Sequence, residues 1–215
     1  MIKLVLFDID GTLIDTDAAL IRAFQNVFSC FAMRPPTEQE VLQGVGHCDE
    51  EWIKLAWTGS CPIPTQKVAE MSEYFKQKYL GFYFPVLARL GEGAKETLEK
   101  LRKQGIKTAI VTNGRKEYAE SVLSYFKLEG LFDLVVSADD VAHVKPSPEP
   151  LLHALDHFKL KPWDALYLGD TELDARAAKA AKVHFALMVR ARNSLVKSKR
   201  RLGSLKEIPV LVQKL

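Results

Sequence analysis

The sequence predicts an α/β protein, a parallel sheet with helices on both faces plus an inserted helical subdomain, and three observations carry that expectation. Five short apolar runs, at 2–7, 106–111, 133–137, 165–169 and 183–189, have the length and the Val, Ile and Leu content of buried strands. Helix-like stretches near 93–104, 115–126, 148–159 and 172–181 alternate with them, as a parallel sheet requires. Roughly seventy residues separate the first strand from the next helix-strand unit, far beyond an ordinary connection, so something folded is inserted there.

Within that interval four stretches read as amphipathic helices: 16–32, 37–44, 49–57 and 65–80. Pro35, Pro36, Gly44, Gly46, Gly59, Pro62 and Pro64 punctuate them. The expected division is an α/β core of residues 1–15 and 85–215 and a helical insert of 16–84. The aromatic stretch 79–84 is expected to pack at the junction. The C-terminal run 204–215 reads as a short packing helix with Pro209 in its first turns.

Composition narrows the class. The chain has 215 residues, 47% hydrophobic and 27% charged, which is ordinary for a globular protein and unlike a disordered or fibrous one. The first apolar run stops at Asp8, too early for a signal-peptide core or a membrane span, so a cytoplasmic protein with no membrane partner is expected. Cys30, Cys48 and Cys61 are odd in number and lack metal-ligand spacing, which favours reduced packing residues over a disulfide framework.

The net charge of +3 conceals an asymmetry. From Met188 onward eight Lys or Arg face Glu207 alone, while the preceding chain holds 22 basic and 26 acidic residues. The run 197–201 (KSKRR) has no interleaved aromatics, which favours a solvated loop over a nucleic-acid surface.

In an open parallel sheet the ligand site lies beyond the carboxyl ends of the strands. The first run ends in Asp8 and Asp10, the second in Thr112 and Asn113, and the fourth in Gly169 and Asp170 with Asp174 one helical turn on. The third leads to Lys145. Asp8 and Asp10 are two apart and project to the same side of the strand end. Four carboxylates around one point are unstable unless a cation or protons compensate them, and an all-oxygen set without His or Cys favours a hard ion, Mg2+ above all. That cation, Lys145, a Thr hydroxyl and backbone N–H groups near Gly11 would suit a dianionic phosphoryl group.

These residues resemble the haloacid dehalogenase (HAD) superfamily of phosphohydrolases. DIDGT (8–12) is similar to its first motif, VTNG (111–114) to its second, KPSPEP (145–150) to its third and GDTELD (169–174) to its fourth. The insert directly after the first motif resembles the phosphoglycolate phosphatase-like branch with a helical cap. The resemblance implies a Rossmann-like core and a Mg2+-dependent phosphatase acting on a small phosphorylated metabolite through an aspartyl-phosphate. It implies Asp8 as nucleophile and Asp10 as the acid that protonates the leaving oxygen and then activates water. It also implies Mg2+ held by Asp8, the Asp10 carbonyl and Asp170, supported by Asp174, with Thr112, Asn113 and Lys145 on the phosphoryl oxygens. An acid at position 10 separates the chain from the dehalogenating branch.

Other readings stay open at this level: a sugar-phosphate mutase or inorganic pyrophosphatase of the same superfamily, and more remotely a phospho-accepting signalling domain. Monomer and homodimer are equally open. Lys182 departs from the resemblance, standing near a position where a helix-ending glycine is usual.

Overall fold

A computed structural model describes residues 1–215, which divide into two compact units, 1–14 with 90–215 and 15–89. The chain begins with β1 (Leu4–Phe7), buried along its whole length, and β2 (Ile14–Asp15). It then enters the helical unit: α1 (Asp17–Cys30), α2 (Glu38–Leu42), α3 (Asp49–Ala56), α4 (Thr65–Lys78), a π-helical turn (Tyr79–Tyr83) and α5 (Phe84–Leu87). Strand β3 (Arg89–Leu90) carries the chain out of it. The core then follows as α6 (Ala94–Lys103), β4 (Lys107–Val111), α7 (Lys116–Tyr125), β5 (Leu134–Val136), α8 (Glu149–His157), β6 (Ala165–Gly169), α9 (Glu172–Ala181), β7 (His184–Met188), β8 (Arg201–Leu202) and α10 (Ile208–Gln213).

The core sheet has six strands in the order β5-β4-β1-β6-β7-β8, and each pairing is parallel. The register places Leu4 of β1 opposite both Lys107 and Ala165, so β1 is the central strand. From β1 the chain builds outward through β4 to β5, then returns to the other side of β1 as β6. Such a reversal opens a crevice at the carboxyl ends beside β1. Alternation gives the sheet two dry faces: Leu4 and Leu6 join Val111, Leu151, Tyr167 and Ala178 in one apolar cluster, while Val5 and Phe7 are buried outside it.

Two features went beyond sequence periodicity. Arg201, expected in a solvated loop, pairs with Leu187 as part of β8, a strand too short to show a period. The α9 helix ends at Lys182 in the left-handed conformation (φ 58°), so the turn forms without glycine and carries the steric cost of a side chain there.

The helical unit has its own core. The α1 residues Leu20, Ala23, Phe24, Val27 and Phe28 recur at helical spacing and are buried. Phe24 packs on Trp52 and on Phe75, with both ring centroids at 4.8 Å, and Trp52 Nε1 donates to the Val41 carbonyl at 2.6 Å. Thr37 and Glu40 form a reciprocal cap at the start of α2. A hydrogen bond from Arg34, the largest influence, and others from Thr37 hold the Glu40 carboxyl at about 2. The aromatic stretch expected at the junction is the π-helical turn, whose first residue, Tyr79, stacks on Phe75 at 5.2 Å.

The cysteines correct one expectation: Cys30, Cys48 and Cys61 are free thiols, but all three are exposed rather than packed. No helix is long and apolar enough to cross a membrane.

Candidate active site

The chain leaves β1 through a tight turn. Asp8 continues the ladder, its N–H donating to the Leu168 carbonyl at 2.9 Å, and the turn closes with Gly11 N–H on the Ile14 carbonyl at 2.7 Å. Gly11 has φ +75°, and a Cβ there would lie 2.4 Å from Asp170 Oδ2, so both backbone conformation and space require glycine. Gly169, at the end of β6, is constrained by space, since a Cβ would meet that of Asp174 at 2.4 Å.

Lys145 is the hub. Its Nζ donates to Asp8 Oδ1 at 2.7 Å and Asp174 Oδ1 at 2.8 Å, and lies 2.9 Å from the Tyr167 hydroxyl. All four residues are buried. Asn113 holds the lysine's backbone on both sides: its Oδ1 accepts from Lys145 N–H and its Nδ2 donates to the Lys145 carbonyl, each at 2.9 Å. The Lys145–Pro146 peptide is cis.

Asp174 is equally committed. Oδ1 accepts from Lys145 and from Tyr167 at 2.6 Å, while Oδ2 accepts from the backbone N–H groups of Asp170 and Thr171 and from the Thr171 hydroxyl. Thr171 Oγ1 in turn accepts from Asp174 N–H, so the same pair caps α9. Asp170 Oδ1 accepts from the Thr12 hydroxyl at 3.1 Å, and Oδ2 meets Arg192 Nη2 at 2.6 Å. Asn193 fastens that loop, its Nδ2 donating to the carbonyls of Asp170 and Met188, and Arg190 Nε donates to the Gly11 carbonyl at 2.6 Å. Asp10 accepts at Oδ1 from the Tyr118 hydroxyl of α7 at 2.5 Å. Thr112 accepts at its hydroxyl from Gly114 N–H at 3.0 Å.

Six of the seven residues singled out from sequence therefore sit at the carboxyl ends of β1, β4 and β6 or on the loop after β5, and Asp174 stands in the first turn of α9. Asp8, Asp170, Asp174 and Lys145 form one buried cluster; Asn113 reaches it through the Lys145 main chain. Tyr118, Tyr167, Arg190, Arg192 and Asn193 were not anticipated. The basic excess after Met188 was a visible signal for the arginines, but nothing local tied them to Asp170.

Electrostatics follow from this packing. Burial, the largest influence, and the carboxylates of Asp174, Asp170 and Asp10 push Asp8 well above the ordinary aspartate range against the pull of Lys145. For Lys145, burial works against the ammonium, but Asp174 and Asp8 outweigh it and hold the lysine above its ordinary range, protonated at neutral pH. Burial likewise opposes the Asp174 anion, yet Lys145 and the hydrogen bonds from Lys145, Thr171 and Tyr167 prevail and lower its carboxyl. Oxygens of Asp8, Asp170 and Asp174 lie within 4.8 Å of one another, a hard-donor set that fits a divalent cation. Asp174 spends both oxygens on five internal hydrogen bonds, and Asp170 meets Thr12 and Arg192 with one oxygen each, so Lys145 and Arg192 are the cations that compensate this cluster from within the protein.

A profile of the family described as haloacid dehalogenase-like hydrolase matches residues 5–188. The chain is 34% identical over 195 residues to pyrophosphatase PpaX of Bacillus cereus, covering 88% of this chain and 87% of that protein. Its fold is similar to the crystal structure of a predicted phosphoglycolate phosphatase from Haemophilus somnus (TM-score 0.89, 23% identity, 99% and 98% of the two chains). It is also similar to that of CbbY from Rhodobacter sphaeroides in complex with phosphate (TM-score 0.85, 24% identity, 100% of both chains).

Proposed function

The chain belongs to the haloacid dehalogenase-like hydrolase family, and on that premise we propose that it is a Mg2+-dependent phosphatase that hydrolyses a small phosphorylated metabolite through an aspartyl-phosphate on Asp8. The observation that carries the reading is the buried Asp8–Lys145–Asp174 arrangement, with Nζ 2.7 Å and 2.8 Å from the two carboxylates, at the end of the central strand. It couples a carboxylate nucleophile to a fixed positive charge at the place where a phosphoryl group would arrive. The division into an α/β core of 1–15 and 85–215 and a helical cap of 16–84 is part of the proposal.

In the first half-reaction an Asp8 carboxylate oxygen attacks phosphorus, the bond from phosphorus to the ester oxygen breaks, and Asp10 passes a proton to that oxygen. In the second, the Asp10 carboxylate takes a proton from water, the water oxygen bonds to phosphorus, the Asp8–phosphorus bond breaks and orthophosphate leaves. Lys145 stays protonated throughout, fixes Asp8 Oδ1 and offsets charge building on the phosphoryl oxygens. Thr112, at the end of β4, is assigned to those oxygens with Lys145, and Asn113 acts there by holding the Lys145 backbone in place. Asp8, the Asp10 carbonyl and Asp170 would hold Mg2+, and Asp174 would support it. When bound, Mg2+ supplies the positive charge that keeps Asp8 ionised and neutralises the incoming phosphoryl group.

Inorganic pyrophosphate is the second substrate reading, favoured by the 34% identity to a protein named a pyrophosphatase. One assay tests both: free phosphate released from a panel of small phosphate monoesters and from pyrophosphate, with Mg2+ or with chelator. The expected result is cation-dependent release that Asp8→Asn reduces by at least about three orders of magnitude. Undiminished turnover by Asp8→Asn overturns the proposal, and phosphate moved between substrate hydroxyls without release to water points to a mutase.

A further inference from the structure

Tyr118 lies outside the four motifs, as the third residue of α7, yet its hydroxyl donates to Asp10 Oδ1 at 2.5 Å. Its place is built into the neighbouring turn. Gly114 is four residues earlier, and a Cβ on it would lie 2.7 Å from Tyr118 Cδ1, so the ring occupies the space that a side chain at 114 would fill. Gly114 N–H is tied to the Thr112 hydroxyl at 3.0 Å and its carbonyl accepts from Ala138 N–H at 3.0 Å, which anchors the backbone beneath the ring. The half-buried tyrosine thus presents its hydroxyl to one chosen oxygen.

We infer that Tyr118 is a positioning residue for Asp10, fixing through Oδ1 the side-chain rotamer in which Asp10 passes its proton to the leaving oxygen. This rests on the proposed role of Asp10 as acid. A hydrogen bond to one oxygen of a carboxyl group sets the plane of that group, and with it the direction in which its other oxygen points. A rotatable Asp at a strand end has three staggered χ1 choices, and a donor held by a helix selects among them. General acid catalysis depends on this placement before anything else.

Leaving-group chemistry separates positioning of the acid from general support of the site. An alkyl phosphate must expel a strongly basic alkoxide and needs the proton; p-nitrophenyl phosphate expels a weakly basic phenolate and hardly does. Single-turnover release of the alcohol or phenolate, read with Mg2+ present, reports the first half-reaction alone. Tyr118→Phe is expected to slow alcohol release from an alkyl phosphate by about 10- to 100-fold, and p-nitrophenolate release by less than about threefold. Asp10→Asn is expected to show the same selectivity more strongly, and both variants to melt cooperatively.

Equal slowing of both substrates by Tyr118→Phe, or slowing of neither, overturns the inference while a selective Asp10→Asn leaves the function proposal standing. An Asp10→Asn protein without selectivity overturns both.

Discussion

Arg192 Nη2 lies 2.6 Å from Oδ2 of Asp170, with side-chain exposures of 10% and 0%. A carboxylate that a divalent cation would also claim thus carries a resident counter-charge, delivered by the loop after β7. A buried pair broken on one side leaves its partner's charge uncompensated, which costs about 3–5 kcal/mol.

Replacing Arg192 by Gln should therefore lower the melting temperature in chelator by roughly 6–20 °C. Excess Mg2+ should recover more stability in this variant than in the parent, because the cation takes over the counter-charge at Asp170. Thermal melts of both proteins with chelator and with Mg2+ check it; an equal drop under both conditions would falsify the shared-charge account.

Asn113→Ala removes both hydrogen bonds to the Lys145 main chain and leaves that buried backbone without its partners. A loss of about 2–4 kcal/mol is expected in denaturant titration. Because Lys145 is displaced rather than removed, kcat for phosphate release should fall more than KM rises. A variant with parent-like kcat would show that Asn113 does not set the lysine's position.

The pH dependence has two opposed contributions. Asp8 is raised in the native state, so its contribution to stability is fully present below the unfolded value of about 3.9 and is lost as pH rises through the raised native value. Asp174 is lowered, so its contribution is present above about 3.9 and is lost as pH falls through the native value. In chelator, Asp8→Asn should gain stability relative to the parent as pH rises from about 4 toward neutrality. Parallel melting curves for the two proteins across that range would rule the assignment out.

Lys182 occupies the left-handed region at φ 58° and is exposed. Lys182→Gly removes the Cβ strain but frees the unfolded chain, and a net gain of about 0.5–1 kcal/mol is expected. Chemical denaturation measures it, and a destabilised variant would show that the lysine side chain contributes more than its backbone costs.

The alternation of apolar runs with helical periods determined the parallel sheet, the helical insert, the strand ends at which Asp8, Asp10, Thr112, Asn113 and Asp170 stand, and the helix start that carries Asp174, since burial on both faces writes itself into each strand's own composition. Lys145 was legible too, as a polar residue on the loop after a strand. The partners of these residues were not. Tyr118 meets Asp10, Asn113 meets the backbone of Lys145, and Arg192 meets Asp170 only because the strand order β4-β1-β6-β7 brings distant loops to one edge. Periodicity reports which residues are buried, whereas strand order and loop direction arise from how whole elements pack, and only the tertiary structure decides which polar groups then come within hydrogen-bonding distance.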